Sequence, residues 1–198
     1  LNIYNGLLQG EAVDVPEIQE FTSLSEKELD RINTLVQNLL KITKLDAGSI
    51  VLEKKPEDVA EMMNNVGLRF SYRAEQKKLV LFGEEDIFLS CDRDWILEAV
   101  DNIVKNAMDH TKSGDTIEIK WRKSASIVQI QIKDNGSGIH PEDLHHIFKR
   151  FYRSRFSKDQ QGIGLGLPLA KMIIEAHNGT IEVNSELGKG TMFTISFL

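Results

Sequence analysis

DNIVKNAMDH, residues 101–110, places Asn102 and Asn106 four positions apart, so on a helix they lie one above the other. Asp109 follows on the same face. Asparagine is a poor helix former because its amide competes for backbone hydrogen bonds, so two on one stripe ask for a use beyond propensity. A helix is expected over Arg93–His110. After it, "TIEIKWR" (Thr116–Arg122) and "IVQIQIK" (Ile127–Lys133) alternate apolar and polar residues as half-buried strands do. Further strands are expected at Ile50–Glu53, Leu79–Phe82, Ile87–Ser90, Thr180–Asn184 and Met192–Phe197, and further helices at Glu57–Gln76 and Gly164–Ala176. Strands and helices in this order predict an α+β fold, a sandwich with helices on one face of a sheet.

The N-terminal part differs in kind. In "SLSEKELDRINTLVQNLLKITKLDAG" the apolar residues Leu29, Ile32, Val36 and Leu39 step by three and four, and Leu35, Leu40 and Ile42 broaden the stripe. Ser25 with Glu28 fits a capping box, and Gly48 fits a helix stop. A shorter helical piece, Leu1–Gly10, precedes it, which predicts a helical hairpin. Two helices cannot enclose so broad a stripe. It packs either in a homodimeric four-helix bundle or against the rest of the chain, and periodicity does not choose between them. The expected domains are residues 1–48 and 49–198.

Composition excludes several classes. A net charge of −6 opposes non-specific binding to nucleic acid or an anionic membrane surface. The longest apolar runs are too short to cross a bilayer. Cys91 is the only cysteine, which rules out a disulfide framework or thiolate metal cluster. Of the five histidines, none has metal-ligand spacing on one helix face, and most are expected at the surface. The first residue is Leu1, and the chain is expected to be a piece of something longer.

Three stretches carry chemistry. "DNGSGI" (Asp134–Ile139) puts a carboxylate at a strand's end beside glycines that allow close backbone approach; alone, it also fits an ordinary turn. "GIGLGL" (Gly162–Leu167) opens a helix whose N-terminus could meet a phosphate. Between them, Arg153, Arg155 and Lys158 lie among Phe148, Phe151 and Phe156, a composition that suits a lid closing over an anion or a solvated loop.

In this order, and with "GKGTMF" (Gly188–Phe193) after them, these stretches resemble the catalytic core of the sensor histidine kinases of two-component systems, within the wider group of gyrase, mismatch-repair and chaperone ATPases. "DNIVKNAMDHT" is similar to the asparagine box and "DNGSGI" to the first glycine box. "IFKRFYR" matches the phenylalanine box, "GIGLGL" the second glycine box and "GKGTMF" the third. The "KLDAGSI" junction also matches, so the resemblance covers essentially the whole chain. It implies a GHKL (Bergerat) ATPase fold, a five-stranded mixed sheet with three helices over one face, and ATP with Mg²⁺ between helices and lid. The implied partners are a response-regulator receiver domain and a second copy of the chain through the helical hairpin, with no nucleic acid and no membrane contact. The implied location is cytoplasmic, in a parent anchored in the bacterial cell membrane.

By the same resemblance, Asn106 coordinates Mg²⁺ and Asp134 accepts from the adenine amine. Gly136 and Gly138 let the backbone approach the base, Arg153 reaches the phosphates, Gly162, Gly164 and Gly166 form hinge and cradle, and Thr191 supports the base. His110, Ile139, Phe151, Leu165 and Leu167 complete the expected ATP-binding set by their places in the boxes. The related ATPases carry a water-activating glutamate four residues before the metal-binding asparagine; here that position is Asn102. An amide cannot deprotonate water, so the catalytic role implied for Asn102 suits a nucleophile needing little activation, such as a neutral imidazole. Two departures stand out. Asp109 occupies a position that is often lysine in the family, with Lys105 or the lid arginines left to compensate. No histidine lies on the helical hairpin, and Leu1 matches a residue just after the family's acceptor-histidine motif, so this stretch is not expected to phosphorylate itself. The alternative is a nucleotide-binding pseudokinase that regulates through its hairpin.

Overall fold

The computed structural model describes residues 16–71, 76–154 and 162–198. The chain divides into two compact units, Leu1–Lys41 and Ile42–Leu198. The helix expected at Leu1–Gly10 lies outside the described residues. Helix α1 (Pro16–Asp46) runs unbroken through Ser25 and Glu28, so the expected capping box does not start it. The apolar spacing continues upstream through Phe21 and Leu24, and a proline costs least in a helix's first turn, where no N–H partner exists. The stop is at Gly48 as expected: its φ of +59° is left-handed, and the Ser49 N–H donates back to the Lys44 carbonyl at 3.1 Å.

The second unit comprises β1 (Lys55–Asp58), α2 (Val59–Ser71), β2 (Lys78–Gly83), β3 (Phe88–Cys91), α3 (Arg93–Asp109), β4 (Thr116–Ser124), β5 (Ile127–Asp134), α4 (Pro141–Leu144), α5 (Gly166–Ala176), β6 (Thr180–Glu186) and β7 (Gly190–Phe197). Five strands form one sheet in the order β2-β4-β5-β7-β6, parallel between β2 and β4 and antiparallel elsewhere. Ile117, Ile119 and Trp121 of β4, Val128, Ile130 and Ile132 of β5, and Phe193, Ile195 and Phe197 of β7 are buried on its inner face. Helices α2, α3 and α5 pack there, while the alternate residues face solvent, as the sequence alternation required. Helix α3 buries Ile96, Val100, Ile103, Val104 and Met108, at roughly 1.5–3 kcal/mol per large apolar side chain. That burial outweighs the poor propensity of its two asparagines.

Several expectations shift. Ile50–Glu53 is not a strand. The Glu53 N–H donates to the Asp92 carboxylate at 3.0 Å instead of to a ladder partner, and pairing begins only at Lys55, opposite Cys91 in a two-stranded ribbon with β3. Helix α2 starts after that ribbon, where Asp58 Oδ1 accepts from the Glu61 N–H at 3.1 Å. Helix α4 is too short to show periodicity; the His140 ring accepts from the Glu142 N–H at its start. Helix α5 begins at Gly166 because Gly164, at φ +75°, cannot continue a helix. His177 is buried, the exception among histidines expected mostly at the surface. Its Nδ1 lies 2.8 Å from the Ile173 carbonyl and its Nε2 accepts from the Asp92 N–H at 3.1 Å, so both nitrogens are satisfied inside the fold. Among the described residues no helix is long and apolar enough to cross a membrane.

Candidate functional site

The site is assembled where β5 ends. Asp134 closes that strand and is buried, yet its Oδ1 is held by two backbone donors, Gly136 N–H at 2.9 Å and Thr191 N–H at 3.3 Å. One donor comes from the next turn, the other from a strand 57 positions away. Burial pushes the Asp134 carboxyl above its ordinary pKa, against the pull of those two hydrogen bonds. Its Oδ2 makes no hydrogen bond to a described residue.

Around this acid the glycine boxes interlock. A side chain at Gly136 would strike the His110 carbonyl oxygen at 2.3 Å, and the Ser137 N–H donates to that same oxygen at 3.1 Å. The first glycine turn is thus seated on the C-terminal end of α3. Gly138, at φ +67°, sits where a Cβ would lie 2.1 Å from the Glu186 carbonyl oxygen. The Ile139 N–H donates to Ser185 Oγ at 2.8 Å, and Ser185 Oγ lies 2.9 Å from Thr191 Oγ1. Ser185 therefore joins the first and third glycine boxes. Sequence reasoning missed it, because a serine in an edge strand carries no local signal.

On α3, Asn102 faces the second glycine box. A Cβ on Gly166 would come within 2.9 Å of Asn102 Oδ1. The Asn102 Nδ2 donates to the Glu98 carbonyl at 2.9 Å, which fixes the amide with its oxygen toward α5. Asn106 is half-buried, and its amide has no hydrogen-bond partner among the described residues. An uncommitted amide oxygen suits Mg²⁺, a hard cation that takes one or two protein oxygens and fills the rest of its octahedron with water and phosphate. Among the described residues no group of three or more acids, histidines or cysteines could bind a metal by itself. Lys105, immediately before Asn106, is exposed.

The phenylalanine and second glycine boxes meet at their bases. The Phe151 N–H donates to the Gly164 carbonyl at 2.9 Å, and a Cβ on Gly164 would come within 2.7 Å of the Tyr152 carbonyl oxygen. Phe151 holds φ at +62°, a strained conformation for an aromatic residue, and its ring is exposed. Arg153 is exposed, and nothing approaches the Cβ position of Gly162 within 4 Å. Leu165 is buried in the core, and Leu167 is half-buried. Arg155 and Lys158 lie outside the described residues. A separate groove of about 710 Å³ runs between α2 and α3 and reaches the asparagine stripe only at Asn102; neither Asp134 nor any box glycine lines it.

A mixed sheet under three helices, with an acid at a strand end gripped by two glycine turns and an asparagine helix facing a third, defines the GHKL-type ATPase fold. Residues 91–198 match the family described as histidine kinase-, DNA gyrase B-, and HSP90-like ATPase, and the chain belongs to that family. It is 34% identical over 194 residues to the sensor protein SrrB of Staphylococcus aureus, covering 96% of this chain and 33% of that protein. The chain therefore spans about a third of the length of the curated relatives it matches. The fold is shared with Acinetobacter baumannii histidine kinase AdeS (TM-score 0.74, 24% identity, 98% of this chain and 92% of that one). It is shared too with histidine kinase ThkA in complex with the response regulator protein TrrA (TM-score 0.75, 22% identity, 98% and 55%), and with full-length ShkA in complex with AMPPNP (TM-score 0.78, 22% identity, 97% and 42%). The chain carries the catalytic domain of a sensor histidine kinase.

Proposed function

We propose that this chain binds Mg²⁺-ATP and transfers the γ-phosphate to a histidine imidazole N-terminal to Leu1, from which it passes to a response-regulator aspartate. The observation that carries this reading is Asp134: a buried carboxylate with one oxygen held by two glycine boxes and the other uncommitted. Such an oxygen accepts from the exocyclic amine of adenine and repels the carbonyl of guanine. Asn106 offers its amide oxygen to Mg²⁺, and Arg153 offers a guanidinium to the terminal phosphate. Held there by Asn106, the metal would supply positive charge that offsets the charge of the phosphates. Asn102, tied to its own helix, orients without acting as a base.

Domains of residues 1–48 and 49–198 accompany this reading, with α1 supplying one arm of a hairpin that pairs with a second copy. The parent sits in the bacterial membrane and works on its cytoplasmic side. A receiver-domain partner is supported by the ThkA–TrrA complex, and nucleotide binding by the ShkA complex with AMPPNP. The test uses γ-labelled ATP with Mg²⁺ on this chain and on one extended upstream through the acceptor histidine. Acid-labile, base-stable label on the extended chain alone is the expected result. No label on either, with ATP still bound, would favour the nucleotide-binding regulator instead.

A further inference from the structure

Asp143 is a buried acid that none of the nucleotide roles uses. It sits in the four-residue helix α4, where ordinary surface acids abound, yet the fold encloses it. Its Oδ1 accepts from the Tyr152 hydroxyl at 2.6 Å, and the Ser154 side chain also hydrogen-bonds to it. These two donors flank Arg153, one on each side. The His146 ring lies against the Tyr152 ring, with centroids 5.3 Å apart. Two polar atoms are sealed here without partners among the described residues, Asp143 Oδ2 and His146 Nδ1.

Burial raises the Asp143 pKa, but hydrogen bonds from Ser154 and Tyr152, with His140 and His146 nearby, outweigh it and hold the carboxyl below its ordinary value. The acid therefore remains an anion and a strong acceptor. Immediately upstream, Phe151 is held at positive φ by its hydrogen bond to Gly164, so the backbone enters this segment along a constrained path. Beyond Phe151, Asp143 sets the direction of residues 152–154 through the hydroxyls at either end.

We propose that Asp143 is a positioning residue for Arg153: by taking the hydroxyls of Tyr152 and Ser154 it fixes the backbone on both sides of the guanidinium that meets the terminal phosphate. This rests on the phosphate-binding role proposed for Arg153. Because the effect runs through a contact with the γ-phosphate only, it separates ATP from ADP, which a merely structural role would not do.

The experiment measures equilibrium binding of Mg²⁺-ATP and Mg²⁺-ADP to the 198-residue chain, to Tyr152→Phe/Ser154→Ala, to Arg153→Ala and to the triple variant. Tyr152→Phe keeps the ring against His146, so packing is retained. The double variant is expected to lose about tenfold in ATP affinity while its ADP affinity stays within about twofold. The triple variant should bind ATP no more weakly than Arg153→Ala. Equal losses for both nucleotides, no loss at all, or losses that add to that of Arg153→Ala would each overturn the proposal. An Arg153→Ala chain that keeps its full preference for ATP would instead sink the role of Arg153, and this proposal with it.

Discussion

At the scale of single residues the fold separates two kinds of buried ionisable group. Asp134 is held by backbone donors but keeps one oxygen uncommitted; its raised pKa means that the fold already disfavours its charge. Asp134→Asn retains the Oδ1 acceptor for Gly136 and Thr191, so the thermal midpoint should hold. ATP affinity should fall at least about tenfold, because a charge-assisted hydrogen bond to adenine is replaced by an amide of unsuitable polarity. Unchanged ATP affinity in a titration would remove Asp134 from the adenine site. His177 is the second kind. Burial lowers its pKa, the Ile173 carbonyl opposes this, Lys54 lowers it further and Asp92 raises it. The folded chain thus binds a proton less readily than the unfolded one, and stability is fully present above the unfolded histidine value of about 6.5 and falls as pH drops below it. Urea unfolding from pH 8 downward should show that loss, and His177→Gln should flatten it. A slope unaffected by the substitution would assign the loss to other groups.

At the scale of elements, the boxes were legible because the turns that approach a ligand or another backbone admit only glycine. Gly138 is such a position: positive φ and a carbonyl 2.1 Å from any Cβ leave no room for a methyl group. Gly138→Ala should therefore destabilise the chain by at least about 2 kcal/mol, read as a lower urea midpoint with unchanged slope. A midpoint matching the parent chain would mean that the β6–β7 hairpin moves aside at little cost. The strands of the main sheet were equally legible, since each alternates around one solvated face. Element starts were less so. Ser25 reads as a cap but lies mid-helix, and Ile50–Glu53 reads as a strand but has no partner, because both depend on what the rest of the chain places alongside. An exposed ion pair between Arg150 and Asp46 ties the phenylalanine box to the end of α1, and no local pattern announces it.

At the scale of the whole molecule, α1 leaves Phe21, Leu24, Ile32, Val36 and Leu40 exposed. An apolar row on a helix of 31 residues calls for a covering surface, and the proposed dimer would supply it from a second copy in a symmetric bundle. Ile32→Glu with Val36→Glu should halve the mass seen by light scattering and leave nucleotide binding intact; a monomeric parent chain would instead refute the bundle. The sequence by itself determined the α+β class, the order of the five boxes and the identity of the acid and the two asparagines. The class depends on local periodicity, and the boxes, the acid and the asparagines on residue types and spacing that resemble the family's. Only the tertiary structure decided which atoms remain uncommitted: Asp134 Oδ2 open while Oδ1 is held from 57 positions away, Asn102 tied down while Asn106 is free to ligate, His177 sealed between helix ends, and Asp143 gripping both flanks of Arg153. Each of these depends on a contact between residues that the chain brings together only on folding, and no local pattern encodes such a pairing.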